Sequence, residues 1–454
     1  MRFYIILGKL LRALARLRGG GSALPGMVIE KLCPDFLSKM LLQLPLGVAV
    51  ITGTNGKTTT TRIASALLES QNLRVFTNPT GSNFTRGVIS AILEKADCKG
   101  NLPYDIAILE LDEAYAVHFA NKVQPEYSLH LNVMRDQLDR FGEIDNTQRM
   151  LYSLAERTTK KIVLNSEDYR IMKSTDAAKQ EVDVSYFSLA PELKALFPTD
   201  DELYDDTLTK QSVISQNTQI QSKTRNNSQK LSKTLTVNAT TLLSFTDSSA
   251  TYLLNGESID VKLKVRGLYN IYNVAAALQL VNAILDGDFD KNSLISALEN
   301  VTPAFGRGEK ITLNNGAELE LVLVKNPSGF RLALESFENS NADDKTQVMI
   351  AISDEYADGR DMSWLWDVDF TPLHNENTTV SLVSGTRAYD MALRLMYDLI
   401  TPTWINDDIK SALSTFTSDA QNAPINRIYC TYTAMLKIRS ELAKVTEIQE
   451  SGLK

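Results

Sequence analysis

The sequence predicts an α/β protein made of a central domain around a mostly parallel sheet and a C-terminal, Rossmann-like α/β domain. Three observations carry this. From Val48 onward, short apolar runs alternate with segments of helical period, the mark of strand–crossover–strand units. The alternation breaks near Ala190 and returns as a second series from about Thr312. The length of 454 residues also exceeds what one ordinary core accommodates. The chain divides into an N-terminal helical segment (1–45), a central domain (46–304) with a polar insertion at about 190–260, and a C-terminal domain (305–454).

Taken in order, the first 18 residues, MRFYIILGKLLRALARLR, carry Arg2, Lys9, Arg12, Arg16 and Arg18 and no acid. Their apolar residues recur at helical spacing, and the basic residues break the continuous apolar core that a signal peptide needs. This is a basic amphipathic helix that either lies on an anionic membrane surface or packs on the main body. GGGSALPG (19–26) reads as a glycine-rich turn or loop, followed by a helical stretch to about Leu44. VAVIT, RVFTN, IAILEL, YSLHLNV and KIVLN read as central-domain strands. Between Gln211 and Ala250, 24 of 40 residues are Ser, Thr, Asn or Gln. Such a segment buries too little apolar surface to offset its ordering entropy, and only TYLLNG and SIDVKLKV near its end read as strands. IYNVAAALQLVNAIL is helical, and LELVLV, TQVMIAIS, TVSLVSG and NRIYCTY are the C-terminal strands.

Bulk composition removes several function classes. With 43% hydrophobic and 22% charged residues the chain is globular, and a net charge of −8 argues against nucleic-acid binding, which needs a clustered basic excess. Cys33, Cys98 and Cys430 are too few and too scattered for a disulfide framework or a four-thiolate zinc site. A reducing, cytoplasmic setting follows, with no zinc. No run approaches the roughly 20 apolar residues of a transmembrane helix, so any membrane contact is peripheral.

The run AVITGTNGKTTTTRIAS (49–65) has the order strand, loop, helix that a phosphate cradle requires. Backbone N–H groups of a glycine-rich turn point at phosphate oxygens, and the helix N-terminus adds its positive end. Gly53, Thr54, Asn55, Gly56, Lys57, Thr58 and Thr59 are the candidate nucleotide-binding residues. Lys57 would reach the β- and γ-phosphates, and Thr58 would offer a hydroxyl to Mg²⁺. An ordinary strand-to-helix turn is the alternative, disfavoured by placement directly after an apolar strand. In ILELDEA (108–114), strand alternation puts Glu110 and Asp112 on one face and Glu113 on the other. Glu110 is the candidate second metal ligand, against the plain alternative of a solvated turn.

Here the residues carry a resemblance. GTNGKTTT, with Ile51 in place of the usual first glycine, resembles the phosphate loop of the Mur ligase superfamily, which includes folylpolyglutamate synthetase. LNVMRDQLDRFGE (131–143), KIVLNSED (161–168), RGLYNIYNVAAA (266–277) and FGRGE (305–309) are similar to further motifs of that superfamily, in the same order. The resemblance implies an ATP- and Mg²⁺-dependent ligase that activates a carboxylate as an acyl phosphate. Asn270 would contact the adenine and Arg307 the phosphates, with ATP held between the domains.

The loop ISDEYADGRDMSWLWDVDF (352–370) and the GGGSALPG stretch resemble the MurT branch. The ligases of that branch amidate the D-glutamate α-carboxyl of lipid II with ammonia from a GatD-type glutamine amidotransferase. The resemblance implies that an Asp of this chain completes the partner's Cys–His triad. Asp361 is the first choice and Asp358 the alternative, against both serving only as helix caps or solvated acids. Trp364 and Trp366 stand equally as interface anchors or core residues. The departures are Trp364 where peptide-elongating relatives have a lysine, Phe141 where the pattern has a histidine, no lysine in QRMLYSLAER (148–157), and no cysteine at 187–260, where MurT relatives carry a zinc ribbon. A stand-alone amino-acid-adding ligase and a P-loop ATPase or regulatory NTP-binding protein are the competing readings.

Overall fold

The computed structural model describes the chain apart from residues 18–23, 79–83, 136–143, 198–237, 247, 266, 303–306, 339–344, 421–422, 445 and 447–454. The motif residues at 136–143, including Phe141, the greater part of the polar insertion, and Phe305 and Gly306 of FGRGE therefore lie outside the described residues. The chain forms two compact units. The first holds 1–134, 143–264 and 269–301; the second holds 135–142, 265–268 and 302–454.

The first unit opens with helices α1 (Arg2–Leu17), α2 (Leu24–Leu32) and α3 (Phe36–Leu41). Helix α2 begins inside the stretch read as a glycine-rich loop, because Pro25 falls in its first turn, where a missing N–H costs nothing. Then follow β1 (Val48–Thr52), α4 (Lys57–Ser70), β2 (Val75–Thr77), α5 (Thr85–Lys95), β3 (Ile106–Glu110), α6 (Glu113–Ala120), β4 (Tyr127–His130), α7 (Ile144–Ala155), β5 (Lys161–Asn165), α8 (Tyr169–Met172) and β6 (Asp183–Leu189). Strands β7 (Ala239–Phe245), β8 (Ser249–Leu254) and β9 (Glu257–Lys262) and helices α9 (Leu268–Leu285) and α10 (Lys291–Asn300) complete the unit.

The nine strands run in the order β2-β3-β1-β4-β5-β6-β7-β8-β9. Pairing is parallel from β2 to β7 and antiparallel across β7, β8 and β9. Every residue of β1 and β3 is buried, as expected of a parallel sheet covered on both faces. Val48, Val50, Ala107 and Leu109 share a core with Ile5, Ile29, Phe36 and Ile92, so helices α1, α2 and α3 contribute to the same core as the sheet. Helix α9 is long and apolar enough to cross a membrane, and most of it is buried inside this unit.

TYLLNG and SIDVKLKV supply β8 and β9 as expected, and the correction in the polar segment is β7 (Ala239–Phe245), which was not read as a strand. Thr240, Leu242, Ala250, Tyr252, Ile259 and Val261 are buried on alternate positions of these three strands. Outward Ser and Thr between inward apolar residues give a polar average while one face still buries fully.

The second unit contains β10 (Arg307–Thr312), β11 (Glu318–Leu323), α11 (Pro327–Glu338), β12 (Thr346–Ala351), β13 (Thr378–Ser384), α12 (Ala388–Tyr397), β14 (Trp404–Asn406), α13 (Ile409–Asp419), β15 (Ile425–Cys430) and α14 (Tyr432–Leu442). Its strand order is β10-β11-β15-β12-β13-β14. All pairs are parallel except β10 with β11. Separate cores cover the two faces, one around Phe330, Trp364 and Phe370 and one around Ile428, Phe416 and Met435.

Candidate functional site

Strand β1 lies between β3 and β4, the point where the strand order reverses, and ligands bind at the carboxyl edge of such sheets. Ile51 explains the missing glycine. It is still inside β1, fully buried and paired with Glu110 of β3 and Leu129 of β4, so the turn starts only at Gly53. The loop is then fixed by β4's continuation. Thr54 N–H donates to the Asn132 carbonyl at 3.0 Å, and Asn55 N–H donates to Asn132 Oδ1 at 2.8 Å. Asn132 Nδ2 returns a bond to the Asn55 carbonyl at 3.0 Å.

Gly56 caps α4 at φ 90°, a backbone state that costs an L side chain energy, and a Cβ there would meet Asn273 Oδ1 at 2.6 Å. No side chain caps α4, which leaves its first N–H groups directed at the loop. Thr59 Oγ1 is buried and has no hydrogen-bond partner among the described residues. A phosphate oxygen would satisfy both that hydroxyl and the open helix end.

Lys57 is buried, its ammonium donating to the Gly53 carbonyl at 2.6 Å and the Thr54 carbonyl at 3.3 Å. Asp112 Oδ1 and Glu113 Oε2 stand 4.0 and 3.9 Å from Nζ. Burial raises the Glu113 carboxyl to about 7 even though the Lys57 charge works to lower it. Thr58 Oγ1 donates to Glu110 Oε1 at 2.7 Å, and Glu110 is held through its backbone by a reciprocal pair with the Asn78 amide, both bonds 2.9 Å. Two hard oxygens in this arrangement fit Mg²⁺, which takes few protein ligands and completes its shell with phosphate oxygens and water.

Alternation misplaced one acid. Strand β3 ends at Glu110 and α6 starts at Glu113 with Asp112 as its N-cap, so the period of two no longer applies and both acids reach Lys57. Asn132 and Asn273 lay within recognised segments but were given no role of their own, and Glu113 was read only as an acid on the opposite strand face. The reciprocal bond of Asn132 to Asn55 links positions 77 apart.

Beside the loop, a solvent-open cleft of the first unit is lined by Asn132, Asn165, Phe187, Phe197, Tyr272 and Asn273. Phe187 and Phe197 lie 5.0 and 5.4 Å from the Tyr272 ring. The Tyr272 hydroxyl donates to Asn165 Oδ1 at 2.7 Å. Aromatic walls with a few fixed amides suit a flat heterocycle. Asn270 sits on the first turn of α9 and is not among the lining residues, whereas Asn273, one turn later, is. Arg307 opens β10 of the second unit.

In the second unit the acids separate. Asp358 is buried: Oδ1 accepts Thr433 N–H at 2.8 Å, Oδ2 accepts Glu355 N–H at 3.2 Å, and Oδ2 also accepts the Thr433 hydroxyl. It thereby caps the first turn of α14. Burial raises its carboxyl, and the bonds from Thr433 oppose that. Asp361 is exposed, with Oδ1 accepting Ser363 N–H at 2.9 Å, and bonding to Ser363 lowers its pKa. Trp364 is buried beside Phe330, while Trp366 is half exposed, edge-on to Tyr397 at 5.0 Å.

Residues 51–281 match the Mur ligase middle domain, and residues 323–435 match the MurT ligase C-terminal domain. The subunit MurT of the glutamine-hydrolysing lipid II isoglutaminyl synthase from Streptococcus pneumoniae (strain ATCC BAA-255 / R6) is 29% identical over 445 residues, spanning 94% of this chain and 93% of its own. Among solved structures, MurF from Acinetobacter baumannii superposes with a TM-score of 0.65 at 17% identity, covering 92% of this chain and 80% of that one. The MurF ligase from Thermotoga maritima, solved in complex with ADP, gives 0.58 at 15% identity over 92% and 84%. At these identities the two structures speak for the fold.

Proposed function

Since this chain belongs to the Mur ligase family, we propose that it is the ligase subunit of a lipid II isoglutaminyl synthase. In this reading it converts the D-glutamate α-carboxyl of the lipid II stem peptide to an amide, using ATP and ammonia. The observation that carries the reading is the phosphate loop, its open α4 N-terminus and buried Lys57, in a chain similar over nearly its full length to a MurT subunit.

A carboxylate is a poor acyl donor because its leaving group would be oxide. Its oxygen attacks the γ-phosphorus of ATP, the bond to the β-phosphate oxygen breaks, and ADP departs from an acyl phosphate. Ammonia then adds to the carbonyl carbon, phosphate leaves, and a proton is lost to give the amide. The protein's contribution is positioning and charge neutralisation. Lys57 leaves its carbonyl and carboxylate partners for the phosphates, and the α4 N–H groups and Thr59 hold their oxygens. Thr58 and Glu110 would hold Mg²⁺, which screens the phosphoryl charge when bound. The aromatic cleft takes the adenine, with Asn273 the nearer amide to it and Asn270 the family position.

Ammonia comes from a GatD-type glutaminase partner in a heterodimer. Support lies in the second unit, where α12 exposes Tyr389, Leu393, Met396 and Tyr397 on one face and edge strand β14 exposes Trp404. Large apolar and aromatic groups so clustered suit a partner. Asp361, exposed and kept ionised five residues before Trp366, orients the partner's histidine, while Asp358 is spent on capping α14. Trp364, at the lysine position of amino-acid-adding relatives, is core, which speaks against the stand-alone ligase. The enzyme works in the cytoplasm, at the inner membrane face where lipid II is exposed.

The test is to express the chain with a glutaminase of that type, supply ATP, glutamine and lipid II, and follow the acceptor by mass spectrometry. Exchange of hydroxyl for amino at one carboxyl supports the proposal. A gain of a whole amino-acid residue, or ATP hydrolysis with unmodified acceptor, overturns it.

A further inference from the structure

Helix α1 has two apolar faces, and the fold uses one. Ile5 is fully buried in the central core, with Met1, Tyr4 and Leu7 packed against it. At Gly8 a Cβ would meet Leu93 Cδ2 at 2.5 Å, so the glycine lets α1 lie close on α5. Arg12 is paired with Glu94 of α5 on the same side. This seating sets which way the rest of the helix faces. Phe3, Ile6, Leu10 and Leu14 remain 69, 55, 57 and 52% exposed. Their spacing places them on one stripe, away from Ile5 and Gly8.

We propose that this outer stripe of α1 is a docking surface for an anionic lipid bilayer, the helix lying in the headgroup plane. The charge around it selects that occupant. Helix α1 holds no acidic residue in a chain of net charge −8. Arg2 is exposed at the edge of the stripe, its Nε donating to the carbonyl of exposed Lys99, and Lys9 lies on the same flank. An apolar stripe edged by cations fits a surface that offers acyl chains beneath anionic headgroups. A second copy of the chain would set basic flank against basic flank in a two-fold pairing, which repels. The inference rests on α1 alone and stands whether or not the ligase reading does.

The test uses the full chain, with its glutaminase partner where one is needed for solubility, in flotation with vesicles of phosphatidylcholine alone or mixed with phosphatidylglycerol. Binding to the anionic vesicles, and at least about tenfold less to neutral ones or in 0.5 M salt (roughly a 4 Å screening length), is expected. Phe3→Asp with Leu10→Asp should lose about tenfold in vesicle binding while retaining the wild-type melting temperature. Arg2→Gln with Lys9→Gln, which leaves the apolar groups intact, should weaken binding to anionic vesicles alone. Absence of wild-type binding, equal binding to both vesicle types, or a wild-type dimer in sedimentation that the Phe3/Leu10 variant dissolves without any vesicle binding would each overturn the proposal. Ligase activity on a soluble acceptor should be unchanged in both variants, so this outcome reads separately from the catalytic one.

Discussion

The loop after β1 and the loop after β12 occupy comparable positions, each at the carboxyl end of a strand that lies in parallel between two strands later in the chain. Their contents are opposite. The first is buried, anchored reciprocally by Asn132, and aims helix N–H groups and an ammonium inward. The second is acidic, keeps Asp358 inside to cap α14, and turns Asp361 outward. One kind of scaffold position thus yields a loop that aims N–H groups and an ammonium inward or one that turns a carboxylate outward.

The sharpest way to break this contrast is Lys57→Ala. Amide formation should fall by about 10³-fold or more with either glutamine or free ammonia as nitrogen source, because the phosphoryl step itself loses its cation. Retained activity in single-turnover assays would mean that the loop after β1 is not the cradle.

Asp361→Asn probes the other loop. Glutamine-dependent amidation should drop about 10²-fold or more, while free ammonia still serves as substrate to within about twofold. Equal loss from both sources would remove Asp361 from the partner's triad.

Asp358→Ala should act on folding instead. Leaving two backbone N–H groups and the Thr433 hydroxyl without their acceptor costs about 2 kcal/mol, a fall of about 5 °C in calorimetric melting. Both nitrogen sources should then be affected in parallel. A normal melting temperature with selective loss of glutamine use would reverse the roles of the two acids.

At neutral pH the smallest effect concerns His130, buried in β4 with Nε2 3.1 Å from Ser128 Oγ. Burial lowers its pKa from 6.5 to about 3. The unfolded chain therefore binds a proton that the folded chain excludes between these values, so stability present above pH 6.5 is lost as pH falls toward 3, by about 1.4 kcal/mol per pH unit. Denaturant titrations of His130→Asn should show that slope reduced by about one proton.

Most of the strands and the phosphate loop were legible because their signals are local. Five-residue apolar runs such as VAVIT and KIVLN are the signature of strands buried on both faces, and GTNGKTT follows one directly. Short or polar strands were harder. WIN (404–406) and RGEKIT (307–312) lie at sheet edges, and ATTLLSF (239–245) hid its alternation under its Ser and Thr residues. Within the site, Glu113 was assigned to the wrong face because the end of β3 is a hydrogen-bonding event that alternation does not report.

What the sequence determined by itself is the order of elements, with Lys57, Thr58 and Glu110 as candidates for phosphate and metal and Asp358 and Asp361 as the two candidate acids. Periodicity and side-chain chemistry are properties of neighbouring residues, and they survive without coordinates. Only the tertiary structure decided that Ile51 is strand, that Asn132 locks the loop, and that Asp358 faces Thr433 while Asp361 faces water. It also decided which face of α1 is left bare. Each of these depends on which distant backbone donors arrive beside a side chain, and packing sets that.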